Sequence, residues 1–70
     1  MTGYYASQEL ANANQALMNG ENALYNGGNL RQALTQVSRS IAELKACKTP
    51  SDDPLMQDLA ALAVKINNRL

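Results

Sequence analysis

Apolar residues recur at helical spacing in three stretches of this chain, and two polar breaks separate the stretches. The breaks lie at residues 26–29 and 49–54, where glycine, asparagine, aspartate and proline are concentrated. Apolar side chains spaced three and four residues apart form one face of a helix. The pattern therefore predicts an all-α fold, a three-helix bundle with helices over about 4–25, 30–47 and 54–69, in a single domain over residues 1–70.

The first stretch combines large and very small side chains on one face. Leucines recur at every seventh position and small residues fall between them: Leu10, Leu17, Leu24, Ala6, Ala13 and Gly20. Because small residues let a neighbouring backbone approach closely, we expect this face to meet another helix. Gly27 or Gly28 supplies the left-handed residue that commonly ends a helix.

The second stretch has the most regular spacing and predicts the centre of the core. Its apolar positions are four, three, four and three residues apart: Leu30, Leu34, Val37, Ile41 and Leu44. Asn29 is the expected N-cap, and Gln32 lies three residues later, as in a capping box. This helix is expected to pack against both of the others.

The third stretch begins with Asp53 at the expected N-cap and Pro54 at the first helical position. Its apolar arc covers about 200° of the helix, although about 100° is enough for packing on two neighbours. Either the first two helices wrap the excess, or part of it is an interface. The second alternative predicts a partner interface formed by Met18, Tyr25, Met56, Ala60 and Val64.

Length and charge bear on the kind of partner. A chain of 70 residues has a marginal core, so help from a partner is plausible. Six basic and six acidic side chains cancel, which leaves no global field to steer the chain to nucleic acid or an anionic membrane. A balanced charge also favours self-association.

Candidate chemistry is sparse, and the sequence predicts no catalytic residue, no cofactor, no metal site and no small-molecule substrate. Histidine, the usual general base, is absent. Asp52, Asp53 and Asp58 surround a helix start, where capping and the helix dipole explain them better than a divalent cation does. Cys47 lies near Lys45 and Lys48, and a half-buried apolar filler is a better interpretation than a reactive thiol.

Two alternatives concern nucleic acid and location. The second helix and its ends carry a local basic surplus against one acid, Glu43, and the surplus consists of Arg31, Arg39, Lys45 and Lys48. Nucleic-acid binding is therefore kept as the third hypothesis. No apolar run is long enough to span a bilayer and no secretory signal is recognisable, so we expect a cytoplasmic protein, with signal-independent export as an alternative.

Parts of the chain resemble known helical families. Residues 28–34, followed by Ser40 and Ile41, resemble the turn and second helix of a tetratricopeptide unit, and the likeness covers residues 24–44. In that family glycine turns the chain and the small residue lets helices pack closely. No second copy of the unit is present, and Glu21 stands where the family prefers glycine. The whole chain is similar in topology to small three-helix microtubule-interacting-and-trafficking domains, which bind helical peptides in grooves between helices.

A third resemblance is to proteins of bacterial type III secretion. Residues 50–54 look like the Pro-Ser-Asp-Pro turn of needle subunits, and small helical co-chaperones of those subunits have a hairpin containing Gly-Gly. The turn comes late here and leaves a shorter C-terminal helix than a needle subunit has. We therefore expect a non-enzymatic protein–protein interaction module, an adaptor or chaperone-like accessory protein. The alternative is a self-associating subunit of a larger assembly, such as a secretion apparatus or phage particle.

Overall fold

The structure is a computed structural model that describes residues 4–70. Over that range it consists of α1 (Ser7–Asn26), α2 (Leu30–Ala46) and α3 (Pro54–Arg69), without any strand. Each helix packs against the other two. The predicted all-α three-helix bundle is therefore confirmed. The predicted domain also includes residues 1–3, which lie outside the described residues.

The ends of α1 are set by local hydrogen bonds and by one glycine. The helix begins at Ser7 rather than at Tyr4, because Ala6 has an extended backbone and acts as the N-cap. The Ala6 N–H donates to Glu9 Oε1 at 2.9 Å. At the other end Gly27 has φ of 77°, a left-handed conformation that glycine adopts without a steric penalty. The sequence had predicted that one of the two glycines would end the helix in this way.

The buried face of α1 is centred on small residues rather than on the predicted leucine positions. Its buried residues are Ala13, Ala16, Gly20, Ala23 and Leu24. Leu10 is 41% exposed, Leu17 is half-buried and Ala6 is exposed, so the expected register was partly wrong. Because α2 and α3 both approach this side of α1, the smallest side chains occupy its middle and the large ones lie at its edge.

The buried face of α2 is also rotated around the helix relative to the face that the sequence pattern predicted. Asn29 caps the helix as expected, since its Oδ1 accepts from the Gln32 N–H at 3.1 Å. The fully buried positions are Ala33, Val37, Ser40 and Leu44. The other predicted core residues of this helix are only half-buried and pack against the edge of the core: Leu30, Leu34 and Ile41. The Ser40 hydroxyl donates to the carbonyl oxygen of Asn12 at 3.4 Å, which gives this buried polar group a partner in α1.

The start of α3 is tied to the segment that precedes α1. Asp53 Oδ2 accepts from the Leu55 N–H at 3.1 Å, as an N-cap should. The same oxygen accepts from the Tyr5 hydroxyl at 3.4 Å. The beginnings of α1 and α3 therefore lie at one end of the bundle, and α2 runs in the opposite direction. The buried residues of α3 are Met56, Leu59, Leu62 and Ile66.

Candidate protein-binding surfaces

The outer surface of α1 carries the two most exposed large hydrophobic side chains of residues 4–70. Tyr25 is 68% exposed and Met18 is 66% exposed. They are seven residues apart, which is two helical turns, so they lie on one side of the helix. Both line a shallow cleft of about 430 Å³, which they share with Asn19, Glu21, Asn22 and Asn26. We call Met18, Glu21, Asn22 and Tyr25 the α1 outer face.

Charged residues of α3 border this face. Tyr25 also lines a cleft of about 240 Å³ that includes Lys65 and Arg69. Glu21 and Lys65 line a third cleft, of about 280 Å³, between α1 and α3. The α1 outer face therefore carries its acidic residue, Glu21, on the α3 side and has basic residues of α3 close to its tyrosine end.

The predicted interface residues of α3 do not share one environment. Val64 is 60% exposed and Ala60 is exposed, but Met56 is only 6% exposed and belongs to the core. Relative to the buried Leu59, Met56 is rotated by about 60° around the helix, Ala60 by about 100° and Val64 by about 140°. The neighbouring helices cover Met56 and leave Ala60 and Val64 exposed. The prediction that Met56 is part of an exposed interface is therefore wrong.

The structure also separates the predicted residues of α1 from those of α3. Ala60 and Val64 line neither of the clefts to which Tyr25 contributes. The exposed residues of the predicted interface therefore form two separate pairs. Met18 and Tyr25 lie on the α1 outer face, and Ala60 and Val64 lie on α3. A partner contact at either place stays a prediction.

A polar groove lies between α1 and α2, where the sequence pattern predicted no site. Two adjoining clefts of about 270 and 250 Å³ share Gln36. Asn19 Nδ2 donates to Gln36 Oε1 at 2.9 Å, a hydrogen bond that links the two helices across the groove. Half of the residues that line the groove carry side-chain amides: Asn12, Gln15, Asn19, Asn22, Asn29, Gln32 and Gln36. Asn12, Asn19 and Asn22 are spaced by seven and three residues, which places them on one side of α1, and this spacing could have indicated the groove from the sequence.

The groups singled out for their chemistry occupy structural positions. Asp53 caps α3, and Cys47 is a half-buried free cysteine at the C-cap of α2. Arg39 lines the polar groove together with Glu43. In the part of the chain that the structure covers, no group of three or more His, Cys, Asp or Glu residues is arranged to hold a metal ion.

Comparisons with known proteins add no relative. None of the helices in residues 4–70 is long and apolar enough to cross a membrane. No protein-family model, curated protein or solved structure matches the chain. The resemblances to tetratricopeptide, microtubule-interacting-and-trafficking and type III secretion proteins therefore stay predictions.

Proposed function

We propose that this protein is a small non-enzymatic protein–protein interaction module that binds a partner protein through the α1 outer face. The observation that carries the proposal is the joint exposure of Met18 and Tyr25 on one side of α1. In this proposal the chain is an adaptor or chaperone-like accessory protein, it acts in the cytoplasm, and it uses no cofactor, metal or small-molecule substrate.

Burial of Met18 and Tyr25 against a partner would stabilise the complex. Full burial of a large apolar side chain is worth about 1.5–3 kcal/mol. Tyrosine is enriched among the residues that dominate binding energies, and methionine adapts to irregular partner surfaces. Two such anchors separated by two helical turns match the spacing with which helices recognise grooves and other helices.

The alternative, a subunit of a larger bacterial assembly, would use the same face. The mass of the purified chain in solution separates the two, because oligomers that keep growing with concentration favour the assembly, whereas a monomer or a closed dimer favours the module. Nucleic-acid binding stays outside the proposal. Arg39 has Glu43 beside it in the polar groove, and the chain carries no net charge. Phosphate recognition depends on a clustered basic surplus.

The test is capture of proteins from a lysate of source cells by immobilised wild-type chain and by two variants. Tyr25→Glu places a charge on the α1 outer face, and we expect it to lose the specific partner, because an unpaired charge in an interface is costly. Ala42→Glu is the matched control, since it adds the same charge at an exposed position of α2. Circular dichroism must show equal helicity for all three proteins. Equal capture by wild type and Tyr25→Glu would refute the proposal.

A further inference from the structure

We infer that the α1 outer face binds a second copy of this chain, about a two-fold axis that passes in front of this face, perpendicular to α1, at the level between Glu21 and Asn22. The inference rests on the proposed function, because it assigns the partner of the same face. Two features of the face point to a second copy: the arrangement of Met18 and Tyr25, and the sign of the charges beside them.

The apolar pair is self-complementary under such an axis. Met18 and Tyr25 are equally distant from it, each about 5 Å along the helix. Rotation by 180° makes the two α1 helices antiparallel and brings Met18 of each copy to Tyr25 of the other. A methionine sulfur against an aromatic ring is a favourable contact. The interface contains this contact twice, as expected when both copies use the same surface.

The charges are complementary under the same operation. An axis that is perpendicular to α1 and lies in the interface leaves α3 on the same flank of α1 in both copies. Glu21 lies on that flank, because it shares a cleft with Lys65 of α3. Lys65 also lines the cleft at Tyr25, so it lies between the levels of Glu21 and Tyr25 along the bundle. Rotation about the axis therefore brings Lys65 of the second copy between the levels of Met18 and Asn22 of the first, a range that includes Glu21.

Net charge does not oppose this association. The chain has six basic and six acidic side chains, so two copies meet without overall repulsion. Within α1 the charged residues are Glu9 and Glu21 alone. The positive charge needed opposite Glu21 must come from another helix, and α3 supplies it at the border of the face.

The first measurement is sedimentation equilibrium of the wild-type chain over a wide concentration range, with Tyr25→Glu and the control Ala42→Glu beside it. We expect a monomer–dimer equilibrium in the wild type, unchanged in Ala42→Glu and weakened by about tenfold or more in Tyr25→Glu. A monomer at every concentration, or a dimer equally stable in all three proteins, overturns the inference.

Charge exchange tests the orientation of the two copies. Glu21→Lys and Lys65→Glu each place like charges across the axis, and each is expected to weaken the dimer. The double variant Glu21→Lys/Lys65→Glu restores opposite charges and is expected to recover it. A double variant as weak as the two singles combined overturns the two-fold arrangement.

A residue close to the axis must meet its own copy, and this is testable by cross-linking. In a Cys47→Ser background, Asn22→Cys places a thiol beside the axis, whereas Ala42→Cys places one on the outer side of α2. A short thiol-reactive cross-linker is expected to trap an Asn22→Cys dimer and to leave Ala42→Cys monomeric. Equal cross-linking of both variants overturns the inference.

These outcomes are distinct from failure of the proposed function. A wild-type chain that stays monomeric but captures a lysate protein, and loses it in Tyr25→Glu, overturns the second-copy partner and leaves the interaction module standing. Equal capture by wild type and Tyr25→Glu, together with a monomeric chain, overturns both.

Discussion

Gly20 of α1 lies directly against the side chain of Leu62 in α3. A Cβ atom at position 20 would be 2.5 Å from Leu62 Cδ2 and 3.1 Å from its Cγ, and it would be 3.4 Å from Ile66 Cδ1. Leu62 is itself buried, so its side chain has little room to move aside. The close approach of α1 and α3 at this level therefore depends on the absence of a side chain at Gly20.

We expect Gly20→Ala to destabilise the bundle. The substitution gains up to about 1 kcal/mol of helix propensity, but crowding in a packed core typically costs about 1–3 kcal/mol. Thermal unfolding by circular dichroism measures the balance. The control is Gly20→Ala in a Leu62→Ala background, where the added methyl group has space and the same substitution should be neutral or stabilising. A higher melting temperature for Gly20→Ala alone would contradict the proposed contact.

The left-handed conformation of Gly27 predicts a strong dependence on the residue type there. Gly27→Val should lower the free energy of unfolding by about 1–3 kcal/mol, because a β-branched residue is strained at positive φ. Gly27→Asn should cost less, since asparagine tolerates this region better than other residues. Urea denaturation of the two variants provides the comparison. Equal stability of the valine and asparagine variants would argue against a left-handed residue at this position.

Burial within α2 predicts an order of stability among its core variants. Leu44 is fully buried, and Leu44→Ala is expected to cost about 2–5 kcal/mol, enough to unfold much of a small domain. Ile41 is only half-buried, so Ile41→Ala should cost less, although the sequence pattern predicted both residues at the centre of the core. Melting temperatures of the two variants decide the order. Ile41 and Leu44 are about 60° apart around α2, so a larger loss for Ile41→Ala would mean that the buried face is rotated toward Ile41.

Asp53 caps α3 and also accepts a hydrogen bond from the Tyr5 hydroxyl. Substitutions at positions 53 and 5 should separate the contributions of these two interactions to the free energy of unfolding. Asp53→Ala removes the cap of α3 and the acceptor for Tyr5, with an expected cost of about 0.5–2 kcal/mol for the cap. Tyr5→Phe removes only the hydroxyl donor and should cost about 0.5–1.5 kcal/mol. Asp53→Asn keeps a capping oxygen and is the control. If Asp53→Ala were as stable as wild type, the cap would contribute nothing.

Substitution of Val64 tests whether the exposed surface of α3 binds a partner. Because its side chain is 60% exposed, Val64→Glu should leave the melting temperature nearly unchanged, whereas Ile66→Glu, at a fully buried position, should unfold the chain. The same Val64→Glu protein belongs in the capture experiment. Loss of the partner in Val64→Glu but not in Tyr25→Glu would move the binding surface from α1 to α3.

The sequence by itself determined the helices and most of their ends. Asn29 and Asp53 cap α2 and α3 as predicted, and the observed ranges of these helices match the predicted ones to within a residue. Capping and left-handed termination depend on neighbouring residues alone, so local sequence is sufficient to predict them. The start of α1 was missed because its N-cap, Ala6, has no capping side chain, and the hydrogen bond there is one that the Ala6 N–H donates to Glu9 Oε1.

Only the tertiary structure decided which side of each helix is covered. A heptad pattern places Leu10 and Ala13 on one side of α1, but two neighbouring helices, rather than one, cover a sector centred on the small residues. For the same reason Met56 is buried while Val64, two turns later on the apolar arc, is exposed. The width of an apolar arc limits what a helix can bury. The positions of the other helices determine how much of that arc remains available to a partner.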